Sequence, residues 1–126
     1  TILESGDDAA TVNWGNGWHT PTKEQWQGLK DYTTCAWTIQ NDVYGIVFYG
    51  NGQSLFLPAA GGYWVDGLYG AGSTGYYWSS SLYTDGPYSA WDFYFDSGVY
   101  FGSDVYCMSY YNRLIGQSVR AVRSAK

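Results

Sequence analysis

The chain has 126 residues, the size of one domain, and a domain of this length can bury about two thirds of its unfolded surface. Hydrophobic residues make up 45% and charged residues 13%, which excludes disorder, and no apolar run reaches the length of a membrane span. The formal net charge is −5, with only six Lys and Arg, so the clustered basic footprint of a nucleic-acid binder is missing and no nucleic-acid partner is expected. Thr1 to Ser5 lacks the basic and apolar regions of a signal peptide, as a mature chain or a piece of a longer one would.

Ser5 begins the first element. It is placed to cap a short helix running through Asp8 to about Asn13, with acids in the first turn and Ala9 and Val12 as its apolar positions. Trp14-Gly15-Asn16-Gly17-Trp18 breaks the chain. Thr22 and Gln25 then fit a capping box, and Trp26 and Leu29 form an i, i+3 pair, predicting a second helix to about Tyr32. Tyr44 to Tyr49 reads as a strand, Gly50-Asn51-Gly52 as a hairpin turn and Ser54 to Leu57 as the return strand. The Gly-rich Ala59 to Gly75 reads as a long loop. Antiparallel strands follow over Tyr76–Ser81, Ala90–Phe95 and Val99 to about Tyr106, then a loop from Cys107 to Ile115 and a last strand over Gln117–Arg123. In Ala90–Phe95, alternation puts Trp91, Phe93 and Phe95 on one face and Asp92 and Tyr94 on the other. Helices first and strands afterwards predict an α+β domain spanning 1–126.

The order of motifs resembles a known group. His19-Thr20-Pro21-Thr22-Lys23-Glu24-Gln25-Trp26 is similar to the helix start of formylglycine-generating-enzyme-like domains. Phe56-Leu57-Pro58-Ala59-Ala60-Gly61, Gly75-Tyr76-Tyr77-Trp78-Ser79-Ser80-Ser81 and Gly116-Gln117-Ser118-Val119-Arg120-Ala121-Val122-Arg123 resemble the Fibrobacter succinogenes major paralogous domain, a bacterial branch of the same C-type lectin-like group. The resemblance runs from about Asp7 to Arg123 and implies a C-type lectin-like fold. Family members usually carry more strands before the first helix, so the resemblance also implies that N-terminal strands belong to a longer chain. An open edge left in this way admits a homodimer.

Some members of the group resemble the variable proteins of diversity-generating retroelements, in which a reverse transcriptase randomises adenines of Asn-type codons near the 3′ end of the gene. Such codons yield Tyr, Ser, Asp, Asn, Gly, Val, Leu, Ile, Phe, Cys or Arg, and never Lys, Glu, Gln or Trp. Tyr94 to Ile115 contains none of the four excluded types, and Met108, outside the permitted set, has to be a fixed position.

Aromatic residues make up 21% of the chain, and Tyr (14) outnumbers Trp (7) and Phe (5). A core-serving excess would favour Phe, because a buried phenol needs a hydrogen-bond partner. Tyr with Ser, Gly and Asn is instead the composition of paratopes. The expected binding surface is the set of outward positions after Ser81. These are Tyr83, Asp85 and Tyr88 in a loop, Asp92 and Tyr94 on a strand, Tyr100, Asp104 and Tyr106 on the next, and Tyr110, Tyr111 and Asn112 beyond it. Strand alternation predicts that about half of these rings are exposed.

Other chemistries find little support. Cys35 and Cys107 either pair in an oxidising compartment or stand as isolated thiols, one of them a small buried hydrophobe. With His19 they fall short of four zinc ligands. Trp91-Asp92 matches only part of the calcium and sugar signature of true C-type lectins, and no spacing requires Asp85, Asp92, Asp96 and Asp104 to gather around calcium. The paired C-terminal cysteines of formylglycine-generating relatives are not matched, and no nucleophile elbow or P-loop occurs. His19 is expected to be a structural hydrogen-bonder. Arg120 and Arg123 are expected to be partly buried beside carboxylates, holding the last strand. The sequence therefore predicts a non-enzymatic display domain without metal or cofactor. It would bind a protein or glycan target at a bacterial cell surface, outside the cell or on a phage particle. The alternative is a carbohydrate-binding lectin domain of a surface adhesin or pilus tip, with Tyr63, Trp64, Tyr69 and the 59–77 loop contributing.

Overall fold

The computed structural model describes residues 2–97 and 107–123, with the backbone only of Cys107. The fold is α+β, with two helices and mostly antiparallel strands. Helix α1 (Ala9–Trp14) is capped by Asp8, not by Ser5. The Asp8 carboxylate accepts hydrogen bonds from the backbone N–H of Ala10 (3.0 Å) and of Thr20 (2.9 Å), and from the Thr20 hydroxyl (2.6 Å). Twelve residues separate Asp8 from Thr20, so a purely local cap rule cannot choose it over Ser5. Burial pushes the Asp8 pKa up, but the hydrogen bonds from Thr20, Ala10 and Thr11 outweigh it and hold the carboxyl below its ordinary value.

After β1 (Trp18–His19), helix α2 (Lys23–Tyr32) begins with the predicted capping box. Gln25 N–H donates to Thr22 Oγ1 (3.1 Å), and Thr22 N–H donates to Gln25 Oε1 (2.9 Å). The same Oε1 lies 3.1 Å from His19 Nε2, so His19 is a structural hydrogen-bonder. Trp26 is the helix's buried residue, and its ring stacks on Phe93 with centroids 5.0 Å apart.

Strands β2 (Thr34–Gln40), β3 (Val43–Gly50) and β4 (Gln53–Pro58) form one antiparallel sheet. Both connections are two-residue turns with positive φ throughout: Asn41-Asp42 (50°, 65°) and Asn51-Gly52 (51°, 73°). That geometry matches the right-handed twist of the strands. Strand β2 has no counterpart in the sequence reading, which recognised the turn at Asn51-Gly52 but not the one at Asn41-Asp42.

The 59–75 segment is not one loop. It contains the hairpin of β5 (Gly62–Trp64) and β6 (Gly67–Tyr69). A second three-stranded sheet follows, with β8 (Ser89–Asp96) between β7 (Thr74–Leu82) and β9 (Cys107–Asn112). Strand β9 occupies much of the expected Cys107–Ile115 loop. Alternation of Met108 and Tyr110 with Ser109 and Tyr111 allows it, and full antiparallel pairing with β8 fixes it. The strand expected over Val99–Tyr106 lies outside the described residues.

The expected last strand is divided. Gly116 bridges to Tyr63, and Ser118 bridges to Tyr77. Of the expected strand, Val122–Arg123 forms β10, paired antiparallel with β1. Ile2 bridges to Ser81 at the other end of the chain. The core lies between the two sheets and α2. It gathers Trp26, Cys35, Ile46, Phe48, Leu57, Tyr77, Phe93 and Phe95, with Met108 packed against it. Each fully buried large side chain of this kind contributes about 1.5–3 kcal/mol over an exposed one. No helix among the described residues is long and apolar enough to cross a membrane.

Candidate functional site

The β7–β8–β9 sheet carries aromatic clusters on both faces, and the expected site residues divide between them. Alternation along β8 and β9 does the dividing: Trp91 and Tyr110 face one way, while Tyr94 and Tyr111 face the other.

On the first face, Trp91 and Tyr110 are cross-strand partners with ring centroids 5.7 Å apart in an edge-on arrangement. Tyr83, from the loop after β7, stacks flat on Tyr110 at 3.9 Å and 9°, and meets Trp91 edge-on at 5.2 Å. Lys23 Nζ, from the first residue of α2, sits 3.7 Å above the Trp91 ring. This is a cation–π contact that restrains both groups. Tyr110 remains 49% exposed and the neighbouring Tyr88 74% exposed. The Tyr110 phenol beside it raises the Tyr83 pKa. Backbone bonds fix the loop: Tyr83 N–H donates to Ser89 O (3.2 Å), and Arg113 N–H donates to Tyr88 O (2.8 Å). Asp85 and Asn112 are exposed, and Asn112 Oδ1 accepts from Leu114 N–H (2.9 Å).

On the second face, Tyr94 and Tyr111 are half-buried beneath the β5–β6 hairpin. Trp64 of that hairpin meets Tyr76 edge-on at 5.3 Å and Tyr111 at 6.1 Å, and Tyr76 meets Tyr94 at 5.2 Å. Burial first, then the bond that its hydroxyl donates to Asp96 (3.1 Å), pushes the Tyr94 pKa up to about 12.

Asp92 does not belong to an open surface. It is 0% exposed, because β8 is the central strand and its second face is covered. One carboxylate oxygen accepts from Ser109 Oγ in a short bond, and Oδ2 has no hydrogen-bond partner. Burial pushes the Asp92 pKa up to about 6, against the lowering influence of Ser109 and Gln117. The Gln117 amide acts on Asp92 across a short gap, yet neither of its polar atoms completes a well-formed hydrogen bond.

The structure thus brings together Tyr83, Tyr88 and Tyr110 with Asp85 and Asn112 at one end of the sheet. It sets Tyr94 and Tyr111 apart on the far face and removes Asp92 from the surface. Tyr100, Asp104 and Tyr106 lie outside the described residues. Sequence reasoning missed Trp91 and Lys23 as site residues. Trp91 shares its face with the core residues Phe93 and Phe95 but lies nearer the start of the strand, where the ring is only half-buried. No sequence signal pairs it with Lys23. Exposed tyrosines are also not confined to the late chain, since Tyr32, Tyr44 and Tyr49 are open to solvent.

Arg120 and Arg123 are exposed, in contrast to the partly buried positions expected of them. Arg123 lies 6.0 Å over the Trp18 ring, so an indole face rather than a carboxylate accompanies it.

Compared with family models, curated proteins and solved structures, the chain has no significant match in any of the three.

Proposed function

We propose that this chain is a non-catalytic ligand-display domain of the C-type lectin-like group, binding a protein or glycan target through the Tyr83–Trp91–Tyr110 platform and the adjoining Tyr88, Asp85 and Asn112. One observation carries the reading. Three rings from two strands and a loop are stacked in advance and still half open to water. Rings held this way lose little entropy on binding and offer large contact area with hydroxyls at the edge. The order of the four sequence motifs and the α+β architecture with few helices support the group assignment.

The hypervariable reading has its own support. Tyr110, Tyr111 and Asn112 stand in the stretch free of Lys, Glu, Gln and Trp, while Met108, the residue that has to be fixed, packs against the core. The fitting location is extracellular, at the cell surface or on a phage particle. The neighbouring DNA tests this part: a reverse-transcriptase gene and a near-copy of the Tyr94–Ile115 region support diversification, and fixed codons across related strains refute it.

The lectin alternative rests on the same platform, because stacked rings beside Asp85 and Asn112 suit sugar faces and hydroxyls. A glycan array probed with and without chelator tests it. A metal-independent signal is expected from the native chain. A Tyr83→Ser, Tyr110→Ser double variant with unchanged circular dichroism should lose about 30-fold or more in affinity. A double variant that binds any captured glycan or protein target as tightly as the native chain removes the platform from the binding role.

A further inference from the structure

A second concavity shares no residue with the aromatic platform. It has a volume of about 440 Å3 and is walled by Trp18 of β1, Trp26 and Leu29 of α2, Leu55 of β4, and Arg120 and Arg123. This size falls within the roughly 300–1,000 Å3 of pockets that hold small molecules. A neighbouring cavity of about 360 Å3 shares Trp18 and Arg120 and adds Trp14. The Trp14-Gly15-Asn16-Gly17-Trp18 break thus has a structural consequence: it puts an indole beside each cavity.

The electrostatics of the first groove are one-sided. The chain as a whole carries −5, yet no lining residue of this groove is acidic and two are arginines. Among the described residues neither Arg120 nor Arg123 forms an ion pair with a carboxylate. Arg123 rests over the Trp18 ring instead. Both guanidinium groups line the one groove. Each also presents a planar fork of donors that matches a carboxylate or sulfonate.

We propose that this groove is a binding site for a small organic anion with an apolar body, its head group held by Arg120 and Arg123 and its body laid against Trp18, Leu29 and Leu55. Charge complementarity selects the head group, and the indole and leucine walls select the body. The inference stands apart from the display function and does not depend on it.

The test uses the folded 126-residue chain and 8-anilinonaphthalene-1-sulfonate, a fluorescent probe that joins apolar rings to a sulfonate. N-phenyl-1-naphthylamine, with similar rings and no charge, serves as the neutral control. The sulfonate probe should bind saturably at one site and be displaced by decanoate but not by decanol. An Arg120→Gln, Arg123→Gln double variant should weaken it about tenfold or more, while binding of the neutral probe changes less than about twofold. Arg123→Gln alone is the second variant should the double variant lose its native circular dichroism. Arg113→Gln, which removes a cation outside this groove, should leave the affinity unchanged. The proposal is overturned by non-saturable binding, or by an Arg113→Gln effect equal to that of the double variant. Loss of the neutral probe in parallel with the sulfonate overturns it as well.

Discussion

Replacing Asp92 by Asn should stabilise the protein above pH 6 and leave it nearly unchanged near pH 4. The buried carboxylate has one oxygen bonded to Ser109 and the other without a partner, beside a Gln117 amide whose carbonyl oxygen also lacks one. A buried carboxylate with one oxygen unpaired is costly while the acid is ionised, and protonation relieves that cost. Burial accordingly raises its pKa from 3.8 to about 6. Because the folded pKa lies above the unfolded one, the contribution to stability is fully present below about pH 3.8 and is lost as pH rises through about 6. Two units at about 1.4 kcal/mol each set the loss on the order of 3 kcal/mol. Asn keeps an acceptor for Ser109 and does not ionise, so it escapes the loss. Urea unfolding of both proteins from pH 4 to pH 8 gives the difference directly. The comparison between them cancels groups of opposite sign such as Asp8, whose lowered pKa makes it stabilising above pH 4. A stability difference that stays constant across this range would refute the reasoning.

Asp8→Ala should be the most damaging change near the N-terminus. It removes the acceptor for Ala10 and Thr20 together and leaves the Thr20 backbone N–H unsatisfied, at a cost of about 3 kcal/mol in urea unfolding. Ser5→Ala, by contrast, should cost less than about 0.5 kcal/mol, because Asp8 and not Ser5 is the cap. Gly75→Ala should destabilise by about 1–3 kcal/mol or more, since a β-carbon there would meet the Phe95 ring at 2.2 Å; thermal unfolding followed by circular dichroism checks it.

Much of this architecture is legible in the residues themselves. The capping box at Thr22 and Gln25, the turn at Asn51-Gly52 and the alternation of Trp91, Phe93 and Phe95 are local rules, and each produced the element it implies. What was not legible depends on partners distant in sequence. Strand β2 is short of turn signals that favour glycine, and its Asn41-Asp42 turn is made by two non-glycine residues that tolerate positive φ. Strand β9 looks like a polar loop until β8 pairs with it. The β5–β6 hairpin is only three residues long on each side and is held by Trp64 folding back over Tyr76.

The candidate site shows why composition alone misplaces a recognition surface. A surplus of tyrosine predicts exposed rings but not which ones, and open tyrosines occur from α2 to β9. Nor does strand alternation settle the matter, since both faces of β8 are covered along much of its length. Asp92 is as buried as Phe93. The difference arises at the end of the strand, where the core residues give way and Trp91 is roofed by Tyr83 and Tyr110 rather than by the second sheet. Exposure there is only partial, and that is what makes the rings useful. A ring as open as Tyr32 is little restrained by its surroundings, and a fully buried one has no face to offer. Tyr83 and Tyr110 are each held by the other and by Trp91, and Trp91 is held by Lys23. Lys23→Ala should therefore loosen the platform without removing a ring. It should weaken target binding less than loss of Tyr110 does, and it should increase acrylamide quenching of the tryptophan fluorescence.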